Sequence, residues 1–225
     1  VMAWIIYDVG TTMFFTGVVG LFFPIWVTQV MSGDDATVGF TLAAAMALNL
    51  VVGPVVGTMS DQARRRMPYL AASTLISVGA TLALGGDNLN LALGLFALAI
   101  IAANTSVILY NSLLAEVSNE RNSGTIGGLG VGVGYLGAIT AVAIGLIFVE
   151  SQGHVFGFRA VGILFLLVSI PLFVLLKERP RHPQADALGH RTSGVLNQFR
   201  TTLSNIHRFP GLLRFLVARF WYMWS

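Results

Sequence analysis

The sequence predicts an all-α polytopic membrane protein built on a six-helix bundle. Three observations lead to this prediction. Charged residues make up only 10% of the 225 residues, whereas a soluble domain carries roughly 25%. The mean hydropathy is +0.77. Six apolar runs are about as long as the ~20 residues that a membrane helix needs. They lack the ~10-residue alternation of barrel strands, so we expect helices.

The six predicted spans follow one another with short connections. They cover residues 3–30, 38–59, 68–84, 91–114, 124–149 and 155–176. Together, residues 1–176 form the predicted bundle. A seventh apolar run covers residues 212–225, and it is too short to cross a hydrocarbon core. Val1 opens an apolar run directly, without the basic region and cleavage site of a signal peptide. We therefore expect the first half of a two-halved protein, with the start of its seventh span.

A linker is predicted between the sixth and seventh runs, over residues 177–211. Its first part, residues 177–191, is polar and contains proline. An apolar stripe at helical spacing follows, and Pro210 and Gly211 end it. The stripe consists of Leu196, Phe199, Leu203 and Ile206. This pattern predicts an amphipathic helix on the membrane surface or against the bundle.

The charged residues predict the orientation of the spans. One set of loops and flanking segments holds 11 of the 13 basic residues. The opposite set holds Asp34, Asp35, Asp87 and Glu150. The positive-inside rule then places the N-terminus and the linker in the cytoplasm. We expect a multi-pass protein of a prokaryotic cell membrane, in contact with membrane lipid.

The loop between the second and third spans carries a spaced motif. Gly57, Asp61, Arg65 and Arg66 match G-x-x-x-D-x-x-x-R-R, and they resemble the loop motif of the major facilitator superfamily. A small residue allows a close turn between two spans. Asp61 can cap a helix or form a salt bridge across the cytoplasmic face. The arginines can contact helix C-termini or lipid phosphates. Two interpretations stay open: a conformational latch, or an anchor that only fixes topology.

Several longer stretches resemble the vacuole-effluxer-like branch of that superfamily, whose fungal members are associated with amino acid efflux from the vacuole. They are "AWIIYDVG", "FFPIW", "GPVVGTMSDQARRRMPYL", "YNSLLAEVS", "GGLGVGVGYLG" and "RFLVARFWY". The resemblance implies the N-terminal six-helix bundle of a major facilitator fold. It also implies a secondary active transporter that moves a small polar solute, with amino acids favoured, by alternating access. The alternatives are a drug-type efflux facilitator, or a membrane sensor or scaffold that keeps the fold without transport.

One carboxylate lies inside the predicted spans. Asp8 is the only acid within them, and it is either a coupling or gating group or a side chain that snorkels to the interface. Arg219, in the seventh run, is its candidate partner. Tyr7 lies beside it, in a Trp- and Tyr-containing stretch that suits the membrane interface.

Span 4 adds polar candidates. Asn104 and Asn111 are seven residues apart and share a helix face with Tyr110 nearby. In a membrane helix these side chains make interhelical hydrogen bonds or contact substrate; both interpretations stay open.

Glycines in span 5 predict close helix packing. Gly130 and Gly134 are four apart, as small-x-x-x-small packing requires, and Gly137 is assigned to the same role. "GVGYLG" over 132–137 also satisfies G-x-G-x-x-G, but it lies inside a helical run and not after a strand, so no dinucleotide site is predicted.

Other chemistries find no support in the sequence. There is no cysteine, and the four histidines lack metal-site spacing. No nucleophile elbow, phosphate-binding loop or paired in-membrane carboxylates occur. We therefore expect no enzyme, no catalytic residue, no cofactor, no metal and no nucleic-acid partner. The expected partners are a small-molecule substrate and a coupling proton or ion.

Overall fold

Every regular element in the described part of the chain is helical. A computed structural model describes residues 1–62, 65–119, 121–176 and 178, and it leaves five side chains within those ranges undescribed: Thr58, Asp61, Gln62, Ala115 and Glu150. Within those residues no strand occurs. The all-α membrane-protein prediction is confirmed.

Six apolar helical spans follow one another, and two of them contain a wider π-helical stretch. Span 1 consists of Met2–Met13, the π segment Phe14–Phe22, and Phe23–Gln29. Span 2 is Asp35–Gln62, span 3 is Met67–Leu82, and span 4 is Leu89–Ser112, with a short helix Leu114–Val117 after it. Span 5 is Ser123–Ile144 with the π segment Gly145–Val149, followed by the single turn Glu150–Gln152. Span 6 is His154–Leu175.

Five of these spans are long and apolar enough to cross a membrane, and span 3 is shorter, with 16 residues. It was predicted to run to residue 84 but ends at Leu82. Gly85 follows with φ +109°, a left-handed conformation that glycine adopts without strain. A Cβ there would also lie 2.6 Å from Cγ2 of Val155, at the start of span 6. The turn therefore needs glycine.

Span 1 lies at the centre of the packing. It contacts spans 5 and 6 along most of its length, while span 3 packs on spans 4 and 6 and span 2 packs on span 4. Large rings fill the core: Phe23 of span 1 stacks on Phe96 of span 4 with ring centroids 3.8 Å apart. Phe158 of span 6 is fully buried beside this pair, and Phe165 of the same span is buried beside Phe14 of span 1.

Two helix N-termini are satisfied locally. Asn88 caps span 4, because its Oδ1 accepts the Leu91 backbone N–H at 3.1 Å. Asp34 does the same for span 2: its carboxylate accepts the backbone N–H of Thr37 at 2.8 Å and also its hydroxyl. These hydrogen bonds hold the pKa of Asp34 below its usual range.

Spans 2 and 5 are the least covered. In the most apolar stretch of each span, only 17% of the residues of span 2 and 22% of those of span 5 are buried, compared with 50% for span 1. Large apolar side chains such as Leu50, Val51, Tyr135 and Ile139 are exposed there. These two spans therefore present broad apolar faces that no other described residue covers.

Candidate functional site

Spans 1 and 5 approach each other along a row of glycines. A Cβ on Gly130 would lie 2.8 Å from Cζ3 of Trp4. A Cβ on Gly137 would overlap the carbonyl oxygen of Val9. Because glycine has no Cβ, the two backbones can come this close. The glycines that the sequence assigns to helix packing all face span 1.

Asp8 lies in this contact. It is half-buried, and a Cβ on Gly134 would overlap its Oδ2. The same Cβ would lie 3.2 Å from Asp8 Cγ and 3.2 Å from Thr12 Oγ1. The Thr11 hydroxyl lies 3.0 Å from the backbone oxygen of Asp8 and 3.4 Å from its Oδ1. The carboxylate therefore points toward span 5, with hydroxyl groups around it.

An aromatic stack adjoins the carboxylate. The rings of Trp4 and Tyr110 stack at 4.3 Å, and Tyr7 stacks on Tyr110 at 5.0 Å. Trp4 Nε1 donates to the backbone oxygen of Tyr110 at 3.1 Å. The Tyr110 hydroxyl is buried and has no hydrogen-bond partner among the described residues. It lies 3.6 Å from the position of a Cβ on Gly130.

Tyr7 occupies a different environment from Asp8, its neighbour in sequence. It is fully buried. Its hydroxyl donates to Thr74 Oγ1 of span 3 at 2.7 Å, because that oxygen already donates its own hydrogen to Leu70. Its ring also packs beside Phe165 of span 6. This placement favours a packing role for Tyr7 over contact with a solute.

The two asparagines of span 4, Asn104 and Asn111, lie in different environments. Asn104 donates to the Ile100 backbone oxygen at 3.0 Å, and its Nδ2 lies 4.0 Å from Sδ of Met46 in span 2. Asn111 is exposed in the last turn. In span 2, Asn49 keeps a buried Oδ1 without a partner among the described residues. Asn104 therefore faces span 2, and Asn49 is a polar residue of span 2 that the sequence places in the same class as the span 4 asparagines.

The loop motif is described only in part. The side chain of Asp61 and the whole of Arg219 lie outside the described residues. Gly57 lies inside the span 2 helix, and a Cβ there would meet no described atom within 4 Å; the steric reason expected for this glycine is not found. Arg65 is exposed. Arg66 donates through Nη1 to the Ser112 backbone oxygen at 3.0 Å, which joins the loop to the end of span 4.

Glu178 was not a sequence candidate, yet it occupies the same end of the bundle. Its carboxylate accepts the backbone N–H of Arg66 at 2.7 and 2.6 Å and that of Met67 at 3.0 Å. These are orphan donors at the start of span 3. The signal in the sequence was the absence of Ser, Thr, Asp or Asn at residues 62–67, directly before Pro68, which leaves this helix without a local cap.

Thr12 was also missed. It follows Asp8 by four residues in a helix, so the two side chains share a face one turn apart. That spacing was readable from the sequence, whereas the lack of a described hydrogen-bond partner for the Tyr110 hydroxyl was not.

Comparison with known proteins agrees with this architecture. The sequence model of the Major Facilitator Superfamily matches residues 9–225. An uncharacterized protein of Aquifex aeolicus (strain VF5) is 31% identical, over 78% of this chain and 45% of its own length. The uncharacterized MFS-type transporter YxiO of Bacillus subtilis (strain 168) is 22% identical, over 98% of this chain and 56% of its own length. The chain thus spans about half the length of the curated relatives it matches. Because the family match covers nearly all of the chain, this protein belongs to the Major Facilitator Superfamily.

Proposed function

We propose that the full-length protein containing this chain is a secondary active transporter that moves a small polar solute by alternating access. Family membership supports membrane transport as the general activity. Amino acids are the proposed solutes, and this choice rests on the resemblance to the vacuole-effluxer-like branch.

The observation that carries the proposal is the position of Asp8. A carboxylate at the centre of a membrane helix costs about 2.5–3.5 kcal/mol on insertion scales, and Asp8 costs less because it lies in the second turn of span 1. Asp8 faces Gly134 in the contact between spans 1 and 5. A side chain that only snorkelled would point away from the bundle, toward the interface. The packed position therefore favours a coupling or gating role.

Spans 2 and 5 support a two-halved arrangement. Their apolar faces are the least covered of the long spans, and they offer a surface on which a second bundle can pack. In such transporters two bundles rock around a site near the bilayer midplane. Asn104 adds a polar group on the side of span 4 that faces span 2.

The loop end of the bundle supports a latch. Arg66 bonds to the end of span 4, and Glu178 bonds to the start of span 3. Both contacts involve backbone groups at helix ends, which shift when spans tilt. We infer that this end holds one state of the bundle, with Gly57, Asp61, Arg65 and Arg66 as the latch.

The test is solute flux in proteoliposomes that contain the full-length protein. We expect uptake of one or more labelled amino acids, stimulated by the same amino acid on the opposite side. Asp8→Asn should reduce this flux strongly, while the matched variant Asp87→Asn, in an exposed loop, should not. Flux of lipophilic cations without amino acid flux would instead identify a drug-type facilitator. Absence of both, with the fold intact, would contradict transport and favour a sensor or scaffold.

A further inference from the structure

Two hydroxyl groups beside Asp8 have no hydrogen-bond partner in the described part of the chain. The hydroxyls of Thr74, Thr81 and Thr105 each donate to the carbonyl oxygen four residues earlier in their helix. Thr12 makes no such bond. Tyr110 is only 3% exposed, and its hydroxyl is also unpartnered. Thr12 is only half-buried, whereas the Tyr110 hydroxyl is a buried, unsatisfied polar group of the kind that is unfavourable and calls for an explanation.

Both hydroxyls lie along the same glycine row as the carboxylate. Asp8 and Thr12 converge on the position of a Cβ on Gly134. The Tyr110 hydroxyl lies 3.6 Å from the position of a Cβ on Gly130. Gly130 is one helical turn from Gly134 and on the same face of span 5. The Asp8 carboxylate and two hydroxyls that have no partner among the described residues therefore line one strip between spans 1 and 5.

The negative charge of the Asp8 carboxylate in this strip favours a cation as the ligand. Among the described residues, the only side-chain hydrogen bonds to Asp8 come from Thr11, and no described base pairs with it. A half-buried carboxylate without a counter-charge is unfavourable inside a membrane. One monovalent cation would make the strip neutral, whereas a divalent ion would leave an excess charge in the membrane. All the available ligand atoms are oxygens, which hard cations prefer.

We propose that Asp8, Thr12 and Tyr110 bind a sodium ion. The carboxylate supplies the charge, and the two hydroxyls supply neutral oxygens that replace part of the hydration shell. That this ion drives solute movement rests on the proposed transport function, but binding of the ion does not.

Thermal unfolding of the purified full-length protein in detergent tests the site. Sodium chloride should raise Tm relative to choline chloride of equal ionic strength, because a ligand that binds only the folded state stabilises it. Asp8→Asn should remove this difference. Tyr110→Phe keeps the ring and Thr12→Val keeps the shape, so each should only weaken the apparent sodium affinity, by about tenfold. Binding of radioactive sodium should follow the same order.

Matched variants separate the site from general effects. Thr28→Val removes a span 1 hydroxyl that bonds to Pro24, and Tyr135→Phe removes an exposed span 5 hydroxyl. Both should keep the parent sodium affinity. Equal stabilisation by sodium and choline would overturn the proposal, as would undiminished sodium binding by Asp8→Asn. Stabilisation that follows pH and not sodium would also overturn it and make Asp8 a proton carrier.

A gate pair with Arg219 is a further outcome that would contradict the sodium site. In that case sodium would not bind, and the flux losses of Asp8→Asn and Arg219→Gln would be less than additive in the double variant. Failure of the two proposals can be told apart. Sodium binding without any solute flux would refute transport and leave the ion site, whereas flux without sodium binding would refute the ion site alone.

Discussion

The carboxylate of Glu178 accepts the backbone N–H of Arg66 through both of its oxygens, at 2.7 and 2.6 Å. The two residues are 112 positions apart. The bond joins the segment after span 6 to the first turn of span 3, which has no local cap. Glu178 is nearly buried, at 8% exposure, so water competes poorly for these donors.

Replacing Glu178 should therefore destabilise the bundle. Glu178→Ala removes the only described acceptor for two orphan N–H groups, and loss of a helix cap costs about 0.5–2 kcal/mol. We expect a lower Tm in detergent, measured by circular dichroism. Asp87→Ala, in an exposed loop, is the control and should leave Tm unchanged. Equal Tm values for Glu178→Ala and the parent would show that the cap does not contribute.

The contact between spans 1 and 5 should be sensitive to one methyl group at Gly137. Gly137→Ala would place Cβ on the Val9 carbonyl oxygen, so the spans must separate. Gly132→Ala is the matched control on the same helix, because its Cβ would meet no described atom within 4 Å. Alanine also favours a helix over glycine by about 1 kcal/mol.

We expect Gly137→Ala to lower Tm and Gly132→Ala to leave it unchanged or raise it. Thermal unfolding of both variants in the same detergent makes the comparison. If both changed Tm in the same direction by the same amount, close packing at Gly137 would be the wrong explanation.

Asp61 separates the two interpretations of the loop motif. If the loop is a latch, Asp61→Asn should slow solute flux in proteoliposomes while insertion and orientation persist. If the loop is only a topology anchor, Asp61→Asn should leave flux at the parent rate, because acidic residues contribute little to orientation. Replacing Arg64, Arg65 and Arg66 together should disturb topology under either interpretation. We expect the latch result.

Acidification should weaken the cap that Asp34 provides to span 2. Its hydrogen bonds with Thr37 lower the pKa of Asp34 in the folded state. The stabilisation is therefore complete above the unfolded-state pKa of about 3.9, and it is lost as pH falls through the lower folded-state value. Asp34→Asn still caps a helix but does not titrate.

The measurement is the Tm difference between the parent and Asp34→Asn from about pH 6 to about pH 3. We expect the parent to lose its advantage as pH falls. A difference that stays constant over this range would show that the ionised carboxylate adds nothing to the cap.

The fold was predictable because each membrane span corresponds to one contiguous apolar run in the sequence. Asp8 could be found by the same route, as the only acid within those runs. The spacing of Gly130 and Gly134 likewise singled out a helix face. Each of these signals lies within one segment of the chain.

The features that the sequence did not predict depend on contacts between segments that are far apart in the chain. Glu178 becomes a cap only because span 6 ends beside the start of span 3. The Tyr110 hydroxyl lies beside Gly130 of span 5 and has no hydrogen-bond partner among the described residues. Span 1 takes π-helical geometry over Phe14–Phe22, and the residues of this segment show no pattern that predicts it.

Alternating access is the central claim, and thiol accessibility tests it most directly. Residues 1–225 contain no cysteine, so Asn104→Cys is the only thiol in the full-length protein once any cysteines outside these residues are replaced, and the variant can be studied in oriented membrane vesicles. We predict that a membrane-impermeant thiol reagent modifies Cys at this position from either side of the membrane, and that the transported solute shifts the ratio of the two rates. Leu167→Cys, on an exposed apolar face of span 6, should react from neither side. Modification of the position 104 variant from one side only, with and without solute, would contradict alternating access.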